Sequence, residues 1–123
     1  MTPHRVLIAL GSNHRQPVFI QWASQRMAVL LDNPQYSDTM WTKDIKGSGH
    51  MYMNRLVAGT TQLSVSEIEQ TLKQIEAEAH RTSKQVTIDL DLMQYDSERY
   101  HLRDWPRTYI ANLLEKLPTR PTW

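Results

Sequence analysis

The amino-acid sequence predicts an α+β fold in which an antiparallel β-sheet carries helices on one face and a further helix follows at the C-terminus. Two observations predict this class. Four segments have the residue patterns of strands, and helical segments separate the first strand from the second and the third from the fourth. The chain has 123 residues, which is enough for one domain with its own core, so we expect a single domain over residues 1–123.

The first strand and the first helix are indicated by the spacing of apolar residues. Residues 5–11, RVLIALG, are apolar on both strand faces, as is typical of a central strand. A turn is predicted at residues 11–13, and Pro17 suits the first position of a helix. The sequence DNP at residues 32–34 is expected to end that helix. The apolar stripe of this helix has helical spacing and consists of Ile20, Ala23, Met27 and Leu30.

The second half of the chain contains the best-marked helix. Residues 35–42 and 51–61 are predicted to form two strands joined by a glycine-containing loop. Ser64 and Glu67 then form a capping box, which marks a helix start. The fourth predicted strand covers residues 86–95. The apolar stripe of the second helix consists of Ile68, Leu72, Ile75 and Ala79.

A last helix is predicted over about residues 106–117, so the element order is β-α-β-β-α-β plus a C-terminal helix. This is the order of a ferredoxin-like sandwich, with helices on one face of an antiparallel sheet. The other face is then available for a binding or catalytic site. The fold alone implies no activity.

Two aspartates in the fourth strand are candidates for a cation site. Alternation along the strand separates two sets of side chains, with Ile88, Leu90 and Leu92 on the core face and Thr87, Asp89 and Asp91 on the other. Asp89 and Asp91 are then roughly 7 Å apart at Cα, and their like charges repel unless water or a cation screens them. A solvated, exposed strand face is the alternative explanation of the pair. Mg²⁺, which prefers one or two carboxylates together with water and phosphate oxygens, is the functional alternative.

Composition restricts the class of protein. The net charge is +1, from 14 basic and 13 acidic residues, which argues against a general nucleic-acid or membrane-surface protein. Cysteine is absent, and we find neither a signal-peptide pattern nor an apolar run of the roughly 18 residues that span a membrane. We therefore expect a cytoplasmic protein with no nucleic-acid or membrane partner.

Four motifs, taken in order, resemble a known family. They are IALGSN at residues 8–13, YMNRLV at 52–57, QIEAEAHR at 74–81 and TIDLDLM at 87–93. With these motifs the chain resembles the 6-hydroxymethyl-7,8-dihydropterin pyrophosphokinases. The resemblance implies Mg²⁺-assisted transfer of pyrophosphate from ATP to a pterin alcohol with release of AMP, as a step of folate biosynthesis. It also implies that Asp89 and Asp91 hold two Mg²⁺ ions, and it leads us to expect small-molecule partners and a monomer or weak dimer.

The resemblance also implies residues for the two substrates. Tyr52 and Asn54 share a strand face, and the Asn amide offers both a donor and an acceptor to the pterin ring. The remaining residues expected at the pterin are Thr42, Ile45, Tyr109 and Asn13, and those expected at ATP are Arg81, Lys84 and Arg107. Without the resemblance, Tyr52 and Asn54 would be taken for part of an ordinary half-exposed strand, and the cations for solvated surface residues.

The chain departs from the family before the aspartates. The family carries a Trp and an Arg there, whereas this chain has a shorter loop with Val86 at the Arg position. Lys84 could reach the same phosphates, although a point charge does not replace a bidentate guanidinium. A paralogue that binds a pterin without efficient transfer is therefore an alternative function. An RNA-binding module is a third, but the aromatic RNP signature of such modules is absent. The shortened region before the last helix gives His101 no assigned role.

Overall fold

A computed structural model describes residues 2–44, 46–82 and 85–119 of the chain. These residues form one six-stranded sheet and three helices, which confirms the predicted α+β, ferredoxin-like class. In chain order the elements are β1 (His4–Ser12), α1 (Gln16–Leu30), β2 (Asp32–Tyr36), β3 (Met40–Lys43), β4 (Met51–Thr61), α2 (Val65–Glu78), β5 (Asp89–Tyr95), β6 (Glu98–Arg99) and α3 (Thr108–Glu115).

Strand β1 lies at the centre of the sheet. The strand order is β2-β4-β1-β5-β6, with β3 pairing to a separate part of β4, and every pairing is antiparallel. β1 pairs with β4 over its full length, from His4 opposite Thr61 to Ser12 opposite Met53. Because β1 has neighbours on both sides and layers on both faces, its side chains are mostly apolar, as the sequence indicated.

The segment predicted as one strand over residues 35–42 contributes to two strands. Ser37 interrupts it: its buried hydroxyl accepts a hydrogen bond from Leu56 N, and its own N–H donates to Leu56 O. β2 also begins earlier than predicted, at Asp32. Pro34 therefore lies in an edge strand, where its missing N–H is tolerated. Helix α1 nevertheless ends just before the DNP sequence, as predicted.

The two faces of the sheet are covered differently. Helices α1 and α2 pack on one face, where Val6, Ile8, Leu10, Val57, Leu90 and Leu92 are buried. The sequence alone suggested that the opposite face would be open along its whole length, but part of it is covered. Leu7, Leu56 and Met93 are apolar there, and α3 covers them with Ile110 and Leu113. The remaining part of this face is left for a site.

Local hydrogen bonds set the ends of the elements around that part. The predicted capping box is present, since Ser64 Oγ accepts from Glu67 N at 3.2 Å and Glu67 Oε1 accepts from Ser64 N at 3.0 Å. β5 begins at Asp89 and not at residue 86, because Val86 bonds to a loop. Asn13 N donates to Val86 O at 2.9 Å, and Asn13 Oδ1 accepts from Val86 N at 2.8 Å.

The helices are short. α1 has 15 residues and α2 has 14, while the last helix, predicted over about residues 106–117, has 8 and covers Thr108–Glu115. Within the described residues, no helix combines the length and the apolar character that crossing a membrane requires.

Candidate active site

A cavity of about 860 Å³ opens on the part of the sheet that α3 leaves uncovered. Its floor is formed by β1, β4 and β5, where the strand register aligns side chains in rows. Asn54 lies opposite Gly11, and Gly11 lies opposite Asp89. A Cβ on Gly11 would lie 3.4 Å from Asn54 Oδ1, so the missing side chain leaves the floor open between Asn54 and Asp89. In the next row, Ala9 lies opposite Asp91 and is equally small.

One side of the cavity presents a fixed set of polar groups. Asn54 is buried, and its Nδ2 donates to Thr42 Oγ1 at 2.8 Å and to Met40 O at 3.4 Å. Asn13 Nδ2 donates to Tyr52 OH at 3.3 Å. Since each amide is bonded to a neighbour that belongs to another element, these groups are oriented before any ligand binds.

Two tyrosines face the same cavity and stay protonated. Tyr109 lies in the first turn of α3 and packs against the apolar residues under that helix. Burial raises the pKa of Tyr109 to about 12, with a further contribution from the negative charge of Asp104. Burial also raises the pKa of Tyr52 above its usual range. Both rings therefore offer an apolar face and a neutral hydroxyl group to a ligand.

Asp89 belongs to a chain of charged side chains. Arg81 contacts two carboxylates, with Nη1 2.9 Å from Asp89 Oδ1 and 2.8 Å from Glu76 Oε2. Glu76 Oε2 also accepts a hydrogen bond from Leu90 N at 2.8 Å. Burial raises the pKa of Glu76, although Leu90 N and the charge of Arg81 oppose that shift. The loop cation Arg81 is thus fixed beside the first aspartate.

The role of Glu76 was not recognised from the sequence. A signal was available, because Glu76 follows Leu72 by four residues and so lies at the edge of the apolar stripe of α2. A carboxylate at that position faces the neighbouring strand and not open solvent. In the structure this side chain is mostly buried, with 16 % of its surface exposed.

The surroundings of Asp91 disfavour the negative charge of its carboxylate. Burial raises the pKa of Asp91 to about 8, and the negative charges of Asp89, Glu76 and Asp104 act in the same direction. A bound divalent cation would reverse this effect, since it favours the ionised carboxylate. Two strand carboxylates on an open floor are hard oxygen donors, so Asp89 and Asp91 fit the ligand set of Mg²⁺.

A histidine and a third aspartate lie beside Asp91. His101 Nε2 is 3.7 Å from Asp91 Oδ1, and the potential ligand atoms of Asp91, His101 and Asp104 all lie within 4.8 Å of one another. Arg107 Nε also contacts Asp104 Oδ1 at 3.0 Å. The sequence analysis gave His101 no role and did not single out Asp104, because the fold of the turn that joins them could not be deduced from spacing.

The end of β3 and the loop after it contribute basic residues that the sequence analysis also passed over. Lys43, Lys46 and His50 line the cavity. The loop is closed by a hydrogen bond from Asp44 N to His50 O at 2.9 Å, and Gly47 has a φ of 74°, which favours glycine. The composition of the loop, KDIKGSGH, already indicated positive charge at this position.

Most of the residues that the sequence predicted for the site line this one cavity. They are Asn13, Thr42, Tyr52, Asn54, Arg81, Asp89, Asp91, Arg107 and Tyr109. Ile45 and Lys84, which were predicted for the pterin and for ATP respectively, lie outside the described residues. The structure brings the nine side chains together, and their individual roles remain predictions.

Comparison with known proteins gave two findings. The family model for 7,8-dihydro-6-hydroxymethylpterin-pyrophosphokinase (HPPK) matches residues 7–119 of the 123-residue chain. The matched part includes all three helices and every strand except the first residues of β1. A search of the curated proteins found none that matches this chain. The family match therefore extends over the whole fold and includes every element that borders the cavity.

Proposed function

This chain belongs to the 7,8-dihydro-6-hydroxymethylpterin-pyrophosphokinase family, and we propose that it transfers pyrophosphate from ATP to the hydroxymethyl group of 6-hydroxymethyl-7,8-dihydropterin. The family carries out this ATP-dependent transfer in folate synthesis. One observation carries the proposal for this chain. The Asp89–Asp91 pair and the fixed amide of Asn54 face the same cavity, separated only by the small residues of β1.

We assign the pterin to the side of the cavity that holds Asn54. Asn54 Oδ1 offers an acceptor to the ring edge, and the hydrogen bonds from Asn54 Nδ2 to Thr42 Oγ1 and Met40 O fix its orientation. Tyr52 and Tyr109 line the cavity and would supply aromatic surface, with Tyr109 proposed to stack on the pterin ring. Asn13 supports Tyr52 through its hydrogen bond to the phenol oxygen. Ile45 is proposed as a further contact on the same side.

Asp89 and Asp91 would hold Mg²⁺, which the family uses together with ATP. When bound, Mg²⁺ neutralises phosphate charge and orients the attacking and leaving oxygens. The negative charges of the carboxylates around Asp91 contribute to its pKa of about 8, and this excess of negative charge supports the assignment. We expect two ions, as in the family pattern that the sequence resembles.

The transfer itself requires positioning more than a strong base. The pterin hydroxyl oxygen forms a bond to the β-phosphorus of ATP. The bond from that phosphorus to the oxygen bridging it to the α-phosphorus breaks, AMP leaves, and the hydroxyl proton is released. The protein's contribution is to hold the hydroxyl group and the β-phosphate in line above the floor of the cavity.

We propose Arg81, Lys84 and Arg107 as the cations that contact the phosphates. Arg81 and Arg107 each already contact protein carboxylates, and Val86 stands where the family has its phosphate-binding Arg. The affinity for ATP is therefore expected to be lower than in a protein that binds the phosphates with a bidentate Arg.

The ion pairs of Arg81 and Arg107, together with the missing family Arg, favour a second candidate, a paralogue that binds the pterin without efficient transfer. Thr42, Tyr52, Asn54 and Tyr109 line the cavity, whereas the phosphate side lacks the family Arg, and Arg81 and Arg107 form ion pairs there. This candidate predicts pterin binding in calorimetry together with no pterin-dependent consumption of ATP.

The test is AMP formation from ATP and Mg²⁺ with and without 6-hydroxymethyl-7,8-dihydropterin, in wild type and in Asp91→Asn. We expect AMP only when the pterin is present, and a loss of at least about 100-fold in Asp91→Asn, because the cation loses a ligand in the transition state. Asp38→Asn, an equal change at an exposed position outside the cavity, should leave the rate unchanged. An Asp91→Asn rate equal to that of Asp38→Asn would remove Asp91 from the mechanism.

A further inference from the structure

The turn between β6 and α3 brings a mixed set of ligands to Asp91. One imidazole nitrogen, from His101, and two carboxylate oxygens, from Asp91 and Asp104, lie within 4.8 Å of one another. Within this set, His101 Nε2 lies 3.7 Å from Asp91 Oδ1. Asp91 belongs both to this set and to the Asp89–Asp91 pair.

Hydrogen bonds in this turn hold His101 and Asp104 close to β5. Tyr100 N donates to Met93 O at 2.9 Å, which ties the turn to β5. His101 then adopts a φ of 53°, and Asp104 N donates to His101 O at 2.9 Å, which closes the turn. Trp105 Nε1 donates to Tyr100 O at 2.9 Å and fixes the other end. The positions of His101 and Asp104 are therefore set by hydrogen bonds on both sides.

The chemistry of the set differs from that of the aspartate pair. Two carboxylates and a neutral imidazole carry a charge of −2, which matches a divalent cation. Imidazole ligands suit Zn²⁺, Fe²⁺ and related transition-metal ions, whereas Mg²⁺ prefers oxygen ligands. Arg107 Nε, 3.0 Å from Asp104 Oδ1, would orient this carboxylate from the second coordination shell.

The spacing allows closure around an ion. Ligand atoms in a zinc site lie about 2.0–2.1 Å from the metal, so the three atoms must move inward from their present separation. His101 can supply that movement, because 41 % of its side-chain surface is exposed.

We propose that Asp91, His101 and Asp104 bind a transition-metal ion such as Zn²⁺ in the absence of nucleotide, at a site adjacent to the Asp89–Asp91 pair. Asp91 and Asp104 line the cavity, so water would complete the coordination from that side. The proposal concerns metal binding alone and stands whether or not the chain transfers pyrophosphate.

The test is calorimetric titration of the full chain with Zn²⁺ alone, in wild type and in variants. His101→Asn removes the imidazole while keeping a residue that tolerates positive φ. We expect this variant to lose about tenfold or more in Zn²⁺ affinity. His80→Asn is the matched control, since His80 is also a histidine with positive φ, at 57°, and is not part of the cluster. Absence of Zn²⁺ binding by wild type, or an equal loss in both variants, would overturn the proposal.

Two further measurements separate this site from the aspartate pair. Asp104→Asn should weaken Zn²⁺ binding as His101→Asn does. Asp89→Asn removes a negative charge beside Asp91 but no ligand of the set, so its loss of affinity should be smaller than that of Asp104→Asn. A larger loss in Asp89→Asn would assign the ion to the aspartate pair instead. In wild type, which needs no variant to fold, NMR of the five imidazoles during the Zn²⁺ titration should shift the signals of His101 first. A first shift at another histidine would contradict the site.

Discussion

At the residue scale, the cavity is organised by pairs of side chains in which one member fixes the other. Glu76 holds Arg81, and Arg81 holds Asp89. Thr42 fixes the amide of Asn54 in the same way on the other side of the floor. The site therefore combines a charged half and a neutral polar half, each oriented by contacts within the protein.

Asn54 gives the first prediction at this scale. Asn54→Ala removes the acceptor Oδ1 that we assign to the pterin edge. The dissociation constant for the pterin should rise by about 2- to 13-fold, because one lost hydrogen bond is worth about 0.5–1.5 kcal/mol. Calorimetry with the pterin alone measures this change.

Asn112→Ala is the control for that change, since Asn112 lies on α3 and does not line the cavity. Pterin affinity should be the same in this variant as in wild type. If Asn54→Ala also binds the pterin as wild type does, the ring does not contact the Asn54 amide and the proposed orientation is wrong.

Asp96 gives a pH prediction that is independent of the site. His4 Nδ1 lies 2.7 Å from Asp96 Oδ2, and Arg5 N donates to Asp96 Oδ1 at 3.0 Å. The hydrogen bond from His4, and then that from Arg5, lower the pKa of Asp96 below 3.8. A carboxyl group with a lowered pKa stabilises the fold above its unfolded pKa, and this contribution is lost as the pH falls through the folded value.

The difference in the free energy of unfolding between wild type and Asp96→Asn should therefore be fully present above the unfolded pKa of about 3.9 and shrink as the pH falls through the lowered pKa of the folded state. Asn tolerates the φ of 51° at this position and keeps an acceptor for Arg5 N. Urea denaturation at a series of pH values measures both proteins. Parallel pH profiles down to the lowest pH would show that the Asp96 charge makes no contribution.

At the element scale, the sequence predicted the elements whose signals are local. The apolar spacing of α1 and the capping box of α2 are properties of a few neighbouring residues, and both helices form where predicted. The division of residues 35–42 into two strands was missed, because it depends on hydrogen bonds between Ser37 and Leu56, which are distant in sequence. The start of β5 was misplaced for the same reason, since Val86 bonds to Asn13.

The capping box gives a prediction about a single element. Ser64→Ala removes the hydroxyl oxygen that accepts from Glu67 N, so one N–H at the start of α2 loses its partner. The free energy of unfolding should fall by about 1 kcal/mol, with an unchanged dependence on denaturant concentration. Urea denaturation near neutral pH measures both quantities.

Ser66→Ala is the matched control, because Ser66 is exposed within the same helix and is not its cap. Alanine has the higher helix propensity, so this variant should be as stable as wild type or slightly more stable. Equal losses in Ser64→Ala and Ser66→Ala would mean that the cap does not stabilise α2.

At the scale of the whole molecule, the site depends on how the two faces of the sheet are covered. α1 and α2 bury one face, and α3 buries only part of the other, so the cavity lies beside α3. Alternation predicted that Asp89 and Asp91 share one face of their strand and that Tyr52 and Asn54 share one face of theirs, and both pairs line the cavity. It could not predict that the turn after β6 brings His101 to Asp91, since that contact depends on a positive φ and on the hydrogen bonds within the turn.

The central claim is that one cavity binds both substrates and directs ATP cleavage to the β-phosphorus. The most direct measurement is ³¹P NMR of the chain incubated with ATP, Mg²⁺ and 6-hydroxymethyl-7,8-dihydropterin. The account predicts that AMP and a pterin product with two coupled phosphorus atoms appear together and in equal amounts, without ADP. Formation of ADP and a monophosphorylated product, or unchanged ATP beside a pterin that calorimetry shows to be bound, would contradict it.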